Sequence, residues 1–221
     1  MNPNFFSDST FLVSLLGAFL IGSIPFSYII GRFRGVDLLK VGSGNPGATN
    51  LTRNLGRNWG ALGLVLDVLK GVVPILIMRD LFVEDSLSVI HAIAVGAAAV
   101  VGHCFSPFLL GRGGKGVATT AGVLLAFEPY LALSLLLFWV ITLRWIGSVG
   151  IASVIGALGG AALGATLMLQ PFSFSGILIH ATSVPDQRWL GAILVLICLL
   201  IVSRHQQNIR EYRQARSAAS E

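Results

Sequence analysis

The informative polar residues of this chain gather in three short segments. The first runs Gly42-Ser43-Gly44-Asn45-Pro46-Gly47-Ala48-Thr49-Asn50 and is followed by Arg53. Glycines let backbone N–H groups turn toward an anion, and Ser43, Thr49, Asn45 and Asn50 add side-chain donors. Arg53 can grip a phosphate through paired hydrogen bonds. The spacing is not that of a P-loop, which needs GxxxxGK[ST]. A tight turn between two helices would carry the same Gly and Asn content, and composition alone does not separate the two.

The second segment is Gly102-His103-Cys104-Phe105-Ser106-Pro107-Phe108, then Gly111-Arg112-Gly113-Gly114-Lys115-Gly116-Val117-Ala118-Thr119-Thr120. Arg112 and Lys115 lie in a loop with almost no side-chain bulk that leads into an apolar stretch. A glycine-rich entry to a helix N-terminus favours anions. A basic loop that only fixes topology would not need four glycines. A lone histidine such as His103 is more often a structural hydrogen-bonding residue than a base.

The third segment, His205-Gln206-Gln207-Asn208-Ile209, closes the last apolar stretch. On one helix His205 and Asn208 would share a face, although a polar helix end meeting headgroups reads the same way. Asp67 and Lys70 stand three apart inside another apolar stretch. A mid-membrane charge costs about 2.5–3.5 kcal/mol on insertion scales, so they should pair, either as a structural bridge or as site lining. Cys104 and Cys198 belong to no CxxC or Cys/His cluster, so no disulfide, structural metal or metal cofactor is expected.

The elements that hold these segments follow from composition. Hydrophobic residues make up 54% of the 221 and charged ones 11%, with a mean hydropathy of +0.81. A soluble domain carries about 25% charged residues. Seven apolar stretches, roughly 10–31, 60–78, 86–102, 116–127, 129–143, 148–169 and 188–203, predict seven membrane helices. The fourth and fifth are divided because Pro129 cannot continue a helix and Glu128 needs water or a partner. The first is expected to be a span, not a signal peptide, since no basic region precedes it. Residues 170–187 read as an interfacial or re-entrant segment.

Lys and Arg set the orientation. Arg32, Arg34, Lys40, Arg53, Arg57, Arg112, Lys115, Arg144, Arg204, Arg210, Arg213 and Arg216, twelve of the fifteen, fall in alternate loops and the C-terminal tail. Only Arg79 and Arg188 fall on the other side, and Lys70 lies within a span. The fold expected is therefore an all-α polytopic transmembrane helical bundle of seven spans, N-terminus outside and C-terminus cytoplasmic. A six-span reading breaks the asymmetry. All three polar segments then meet the cytoplasmic face. The net charge of +5 is a topology signal and calls for no nucleic-acid partner.

Together the three segments resemble the acyl-phosphate-dependent glycerol-3-phosphate acyltransferases of bacterial membranes. The family's first motif, SGN-x-GATN-x-x-R, is similar to Ser43–Arg53; its second, GH-x-FSPF with GGKGVAT, to Gly102–Phe108 and Gly113–Thr119; its third, H-x-x-NI, to His205–Ile209. The tail Arg213–Ser217 departs from the family pattern, which often has Gly and an acidic residue there. The family's serines after an Arg-aromatic pair find only a shifted match at Ser148.

The resemblance implies that residues 1–221 form a single integral-membrane acyltransferase domain, multi-pass in the bacterial inner membrane, with its site on the cytoplasmic face. It would move an acyl group from acyl phosphate to the 1-hydroxyl of glycerol-3-phosphate, giving lysophosphatidic acid. His205, Lys115 and Ser43 would carry catalysis. Gly44, Asn45, Gly47, Thr49, Asn50, Arg53, His103, Ser106, Arg112, Gly113, Gly114, Gly116, Thr119, Ser148, Asn208 and Ile209 would bind substrate or phosphate. No cofactor is implied; membrane lipid and the enzyme that supplies acyl phosphate are the implied partners. Acyl phosphate is already an activated anhydride, so positioning and charge stabilisation dominate. The base is either His205 or a substrate phosphate. A CoA-dependent acyltransferase would need an HxxxxD pair, and none of His91, His103, His180 or His205 has one. A transporter would place its polar motifs near the midplane, and a scaffold has no use for these loops.

Overall fold

The computed structural model describes residues 9–81, 89–174 and 176–218, and among them every regular element is helical. Six helical stretches are long and apolar enough to cross a membrane: Ser9–Phe33, Arg57–Met78, Val89–Leu109, Pro129–Ile146, Val149–Leu169 and Val184–Arg204. A seventh apolar helix, Val117–Phe127, has 11 residues. At 1.5 Å per residue it covers about 16 Å, roughly half of a ~30 Å hydrocarbon core. The chain divides into two compact units, Met1–Phe127 and Glu128–Glu221.

The first unit holds α1 (Ser9–Ser23), α2 (Phe26–Phe33), α3 (Ala48–Leu55), α4 (Arg57–Leu81), α5 (Val89–Cys104), a 3-10 turn (Pro107–Leu109) and α6 (Val117–Phe127). The expected first span is two helices. Pro25 has no N–H to give the ladder, and at the break the Ile24 carbonyl accepts from Phe26 N at 3.1 Å and from Lys70 Nζ at 2.9 Å. Small residues bring the helices together. A side chain at Gly22 would strike the Ala99 backbone and one at Gly102 the Phe19 carbonyl, where α1 crosses α5. Gly71 and Gly122 do the same for α4 and α6, against Thr119 and Val68. Lipid tails are as apolar as leucine, so this close approach replaces the hydrophobic effect in holding helices together.

The second unit holds α7 (Pro129–Ile146), α8 (Val149–Leu169), α9 (Val184–Arg204) and α10 (Gln206–Ala218). Gly164 and Gly191 let α8 and α9 touch backbone to backbone. The division expected at Phe127-Glu128-Pro129 is present, and Glu128 has the partner it needs. Its side chain is fully buried, and its carboxylate accepts from the N–H groups of Ile179, His180 and Ala181, each at 2.8 Å. Part of the segment 170–187 is thereby fixed to the start of α7, and its last residues, from Val184, are already helical.

Candidate active site

The first polar segment folds around one side chain. Asn50 is 2% exposed. Its amide nitrogen donates to the carbonyls of Leu38, Val41 and Asn45 at 3.0–3.1 Å. Its oxygen accepts from Ser43 N and Asn54 Nδ2, both at 3.2 Å. Every hydrogen-bonding position is taken. Asn50 was expected to bind substrate; it is the peg on which the loop is wound. Asn45 plays a lesser version of that role, its Oδ1 accepting from Gly47 N at 3.0 Å. Gly42 and Gly44, at φ 57° and 65°, supply the left-handed turns that this wrapping demands. What the loop presents outward is different. Ser43 is half-buried, and Thr49 and Arg53 are exposed on α3. The Arg53 side chain makes no ion pair or hydrogen bond among the described residues, whereas Arg32 and Lys40 share Asp37 at 3.6 and 3.8 Å.

The second segment passes tightly over the end of α5. Gly114 N donates to the His103 carbonyl at 3.0 Å. A side chain at Gly114 would collide with the His103 ring, and one at Gly113 with the carbonyls of His103 and Cys104. These two glycines therefore have a packing reason as well as a chemical one. Half-buried Lys115 and then Gly116, at φ 88°, carry the chain into the first turn of α6, while Arg112 stays exposed. Three residues expected to touch substrate sit inward. Thr119 is fully buried, its hydroxyl donating to the Asp67 carbonyl at 3.0 Å. Ser106, 1% exposed, gives its proton to the Ser23 carbonyl at 2.6 Å. His103 is 7% exposed. Thr119 ties α6 to α4; Ser106 and His103 are walls.

Those walls enclose a narrow crevice lined by Ser23, Pro25, Pro46, Asp67, Lys70, His103, Ser106, Gly113 and Gly114. It draws on both polar segments of this unit: Pro46 from the first, Gly113 and Gly114 from the second. Inside it, Asp67 Oδ1 lies 3.1 Å from Lys70 Nζ and 3.8 Å from His103 Nδ1. Asp67 Oδ2 accepts from Ser27 Oγ at 3.2 Å. The Asp67–Lys70 pair is thus both an ion pair and site lining. Ser27 carried no motif and would have been found only by asking what could satisfy a carboxylate inside a membrane helix, and Ser23, whose carbonyl takes the Ser106 hydroxyl, carried none either.

The third segment belongs to the second unit. His205 is not within one uninterrupted helix with Asn208, as the i, i+3 reading assumed; it is the junction between α9 and α10. The turn nevertheless continues through Ile209 N to the His205 carbonyl, 3.1 Å. His205 is 3% exposed and its Nδ1 lies 2.7 Å from the Ile201 carbonyl. A carbonyl only accepts, so Nδ1 carries the proton and Nε2 is the basic nitrogen of the neutral ring. Asn208 lies against Gly150, where any side chain would displace its amide. Ser148, two residues earlier, caps α8 by accepting from Ile151 N at 3.5 Å, a structural use of a residue expected to bind substrate. Among the described residues no group of three or more His, Cys, Asp and Glu is placed to hold a metal ion.

Comparison with known proteins points to one family. The model of the family described as glycerol-3-phosphate acyltransferase matches residues 12–215, across both units. The chain is 39% identical over 202 residues to glycerol-3-phosphate acyltransferase 1 of Deinococcus radiodurans, covering 91% of each chain. It is 37% identical over 198 residues to the glycerol-3-phosphate acyltransferase of Aquifex aeolicus, covering 90% of this chain and 93% of that one. A crystal structure of PlsY, an integral membrane glycerol 3-phosphate acyltransferase in its glycerol 3-phosphate form, superposes with a TM-score of 0.76 at 33% identity over 94% of both chains. This chain belongs to the glycerol-3-phosphate acyltransferase family.

Proposed function

We propose that this chain transfers an acyl group from acyl phosphate to the 1-hydroxyl of sn-glycerol-3-phosphate, releasing 1-acylglycerol-3-phosphate and inorganic phosphate. The hydroxyl oxygen attacks the acyl carbon, the carbon–oxygen bond to phosphate breaks, and the hydroxyl proton passes to a base. One observation carries the reading: two glycine-rich loops, one leading to Arg53 and the other to Lys115, line a single crevice in the first unit. Both substrates bear phosphate, and a site for them needs two cations beside compliant backbone. Membership of the family supports glycerol-3-phosphate as the acceptor. The absence of an HxxxxD pair from the sequence supports acyl phosphate over acyl-CoA.

The residues divide the work as follows. Arg53, Lys115 and the amino end of α6 take phosphate charge, and Ser43, Thr49, Gly44 and Gly47 complete the grip. His205, its tautomer set by Ile201, and Asn208 orient the acceptor; either His205 Nε2 or a substrate phosphate takes the proton. The whole chain acts as one domain in the bacterial inner membrane. Seven helices are embedded, with the N-terminus outside and the three polar segments and the tail in the cytoplasm, where the enzyme that supplies acyl phosphate delivers it. An assay settles the donor. Purified protein is given labelled glycerol-3-phosphate with either acyl phosphate or acyl-CoA; product should form with the first alone. Comparable turnover with acyl-CoA would overturn the assignment of donor.

A further inference from the structure

We propose that Asp67 is a positioning residue: acting through His103, its carboxylate fixes the Gly113–Gly114 turn, and with it the backbone that presents Lys115 at the amino end of α6. The inference rests on the phosphate role proposed above for Lys115.

Stability alone is a weak reason for this cluster. Charges inside a membrane helix are expensive, and a buried ion pair generally contributes no more than well-packed apolar residues would. The unit already has its close helix contacts at Gly22, Gly71, Gly102 and Gly122. The pair is also incompletely satisfied. A lysine ammonium has three donors. Ile24 O and Asp67 Oδ1 take two of those of Lys70, whose side chain is 2% exposed. The third has no partner among the described residues, and Lys70 lines the crevice.

The placement of Asp67 supplies the reason that stability does not. The loop bearing Lys115 runs from the end of α5 to the start of α6, and Asp67 reaches both ends. Its carboxylate oxygen lies 3.8 Å from His103 Nδ1. That is too long for a hydrogen bond but sets the carboxylate against the edge of the imidazole ring. Its carbonyl takes the hydroxyl of Thr119, in the first turn of α6. His103 passes the constraint on. Its carbonyl holds Gly114 N, and its ring sits where a Gly114 side chain would be. Lys115 is the next residue. A carboxylate set against the residue under the turn and a carbonyl bonded to the helix after it leave the backbone that carries Lys115 little freedom.

Asp67→Asn removes the charge and keeps the carbonyl tie. In purified protein, kcat/KM for both phosphate-bearing substrates should fall by about tenfold to a hundredfold, mostly through KM, as expected for a displaced binding group. Hydrogen exchange over residues 112–118 should quicken while that over 129–146 stays unchanged. Asp67→Asn/Lys70→Met removes both charges together, avoids a lone buried cation, and should quicken the same segment. Wild-type exchange at 112–118 with wild-type KM in either folded variant overturns the proposal. So does failure of both variants to fold, which would make the cluster a stability element. If the wild-type chain turns over neither substrate, the phosphate reading fails, and the exchange measurement still decides whether Asp67 positions the loop.

Discussion

Arg53, Arg112 and Lys115 carry the same formal charge in very different surroundings. Arg53 projects from α3 beyond a loop wound on Asn50, Lys115 is half-buried at the entry to α6, and Arg112 is exposed just before the two packed glycines. Truncating a charge-assisted phosphate contact costs about 1.5–3 kcal/mol. Arg53→Ala and Lys115→Ala should each therefore lower kcat/KM by roughly tenfold to a hundredfold, while the protein stays folded in detergent. Arg112→Ala should lose less, as the internal control in the same loop; if it proved the worst of the three, the loop would be a topology signal only. Asn50→Ala should act differently, leaving the carbonyls of Leu38, Val41 and Asn45 without their donor. The loop should loosen, seen as faster hydrogen exchange over residues 38–50, and KM for glycerol-3-phosphate should rise. The inward role of Asn50 was not legible in the sequence, because an asparagine among glycines can point at a ligand or at its own backbone with equal ease. What the sequence does show for Arg53 and Lys115 is a cation beside a glycine-rich turn, and the two substitutions test whether that placement serves phosphate.

At the scale of elements, proline was an uneven guide to helix breaks, and Pro74 lies within the unbroken α4. Pro129 divided α6 from α7 as expected, whereas the equivalent break at Pro25 was read through, since the surrounding apolar run concealed it. The partners of Glu128 were not readable. They lie 51–53 residues away, and backbone N–H groups carry no sequence signature. Three charge-assisted bonds make Glu128 the clasp between the start of α7 and the segment before α9. Glu128→Ala leaves three buried donors unpaired, a loss of about 3 kcal/mol or more, or roughly 6–12 °C in the unfolding midpoint of a chain this size. Glu128→Gln should lose less, since its carbonyl oxygen can still accept from His180 and Ala181. Thermal unfolding of the two variants in detergent, read by tryptophan fluorescence, checks the order. Equal midpoints for wild type and Glu128→Ala would show that the clasp contributes nothing.

For the molecule as a whole, the open quantity is how many times it crosses. Six helices are long enough unaided, and α6, at 11 residues, is not. Yet moving α6 out of the count transfers Arg144 and the four tail arginines to the outside, against the positive-inside bias. The conflict resolves if α6 crosses while its ends lie below the membrane surface. Irregular backbone is tolerated at that depth where protein or a watered cavity covers it. At one end of α6 the Gly113–Gly116 approach would then be such backbone; at the other, Glu128 would be a charge in need of internal donors, and it has them. A recessed phosphate site would also shorten the distance between a polar headgroup and an acyl chain still in lipid. The two counts differ in a way cysteine labelling reads directly. Cys104 and Cys198 are buried, so Asn58→Cys, Phe172→Cys and Ala215→Cys, all at exposed positions, report alone. With seven crossings, an impermeant thiol reagent should reach Phe172→Cys in intact cells, and Asn58→Cys and Ala215→Cys only after permeabilisation. With six, Asn58→Cys would share a side with Phe172→Cys and face away from Ala215→Cys, and the shared cytoplasmic site would have to be abandoned.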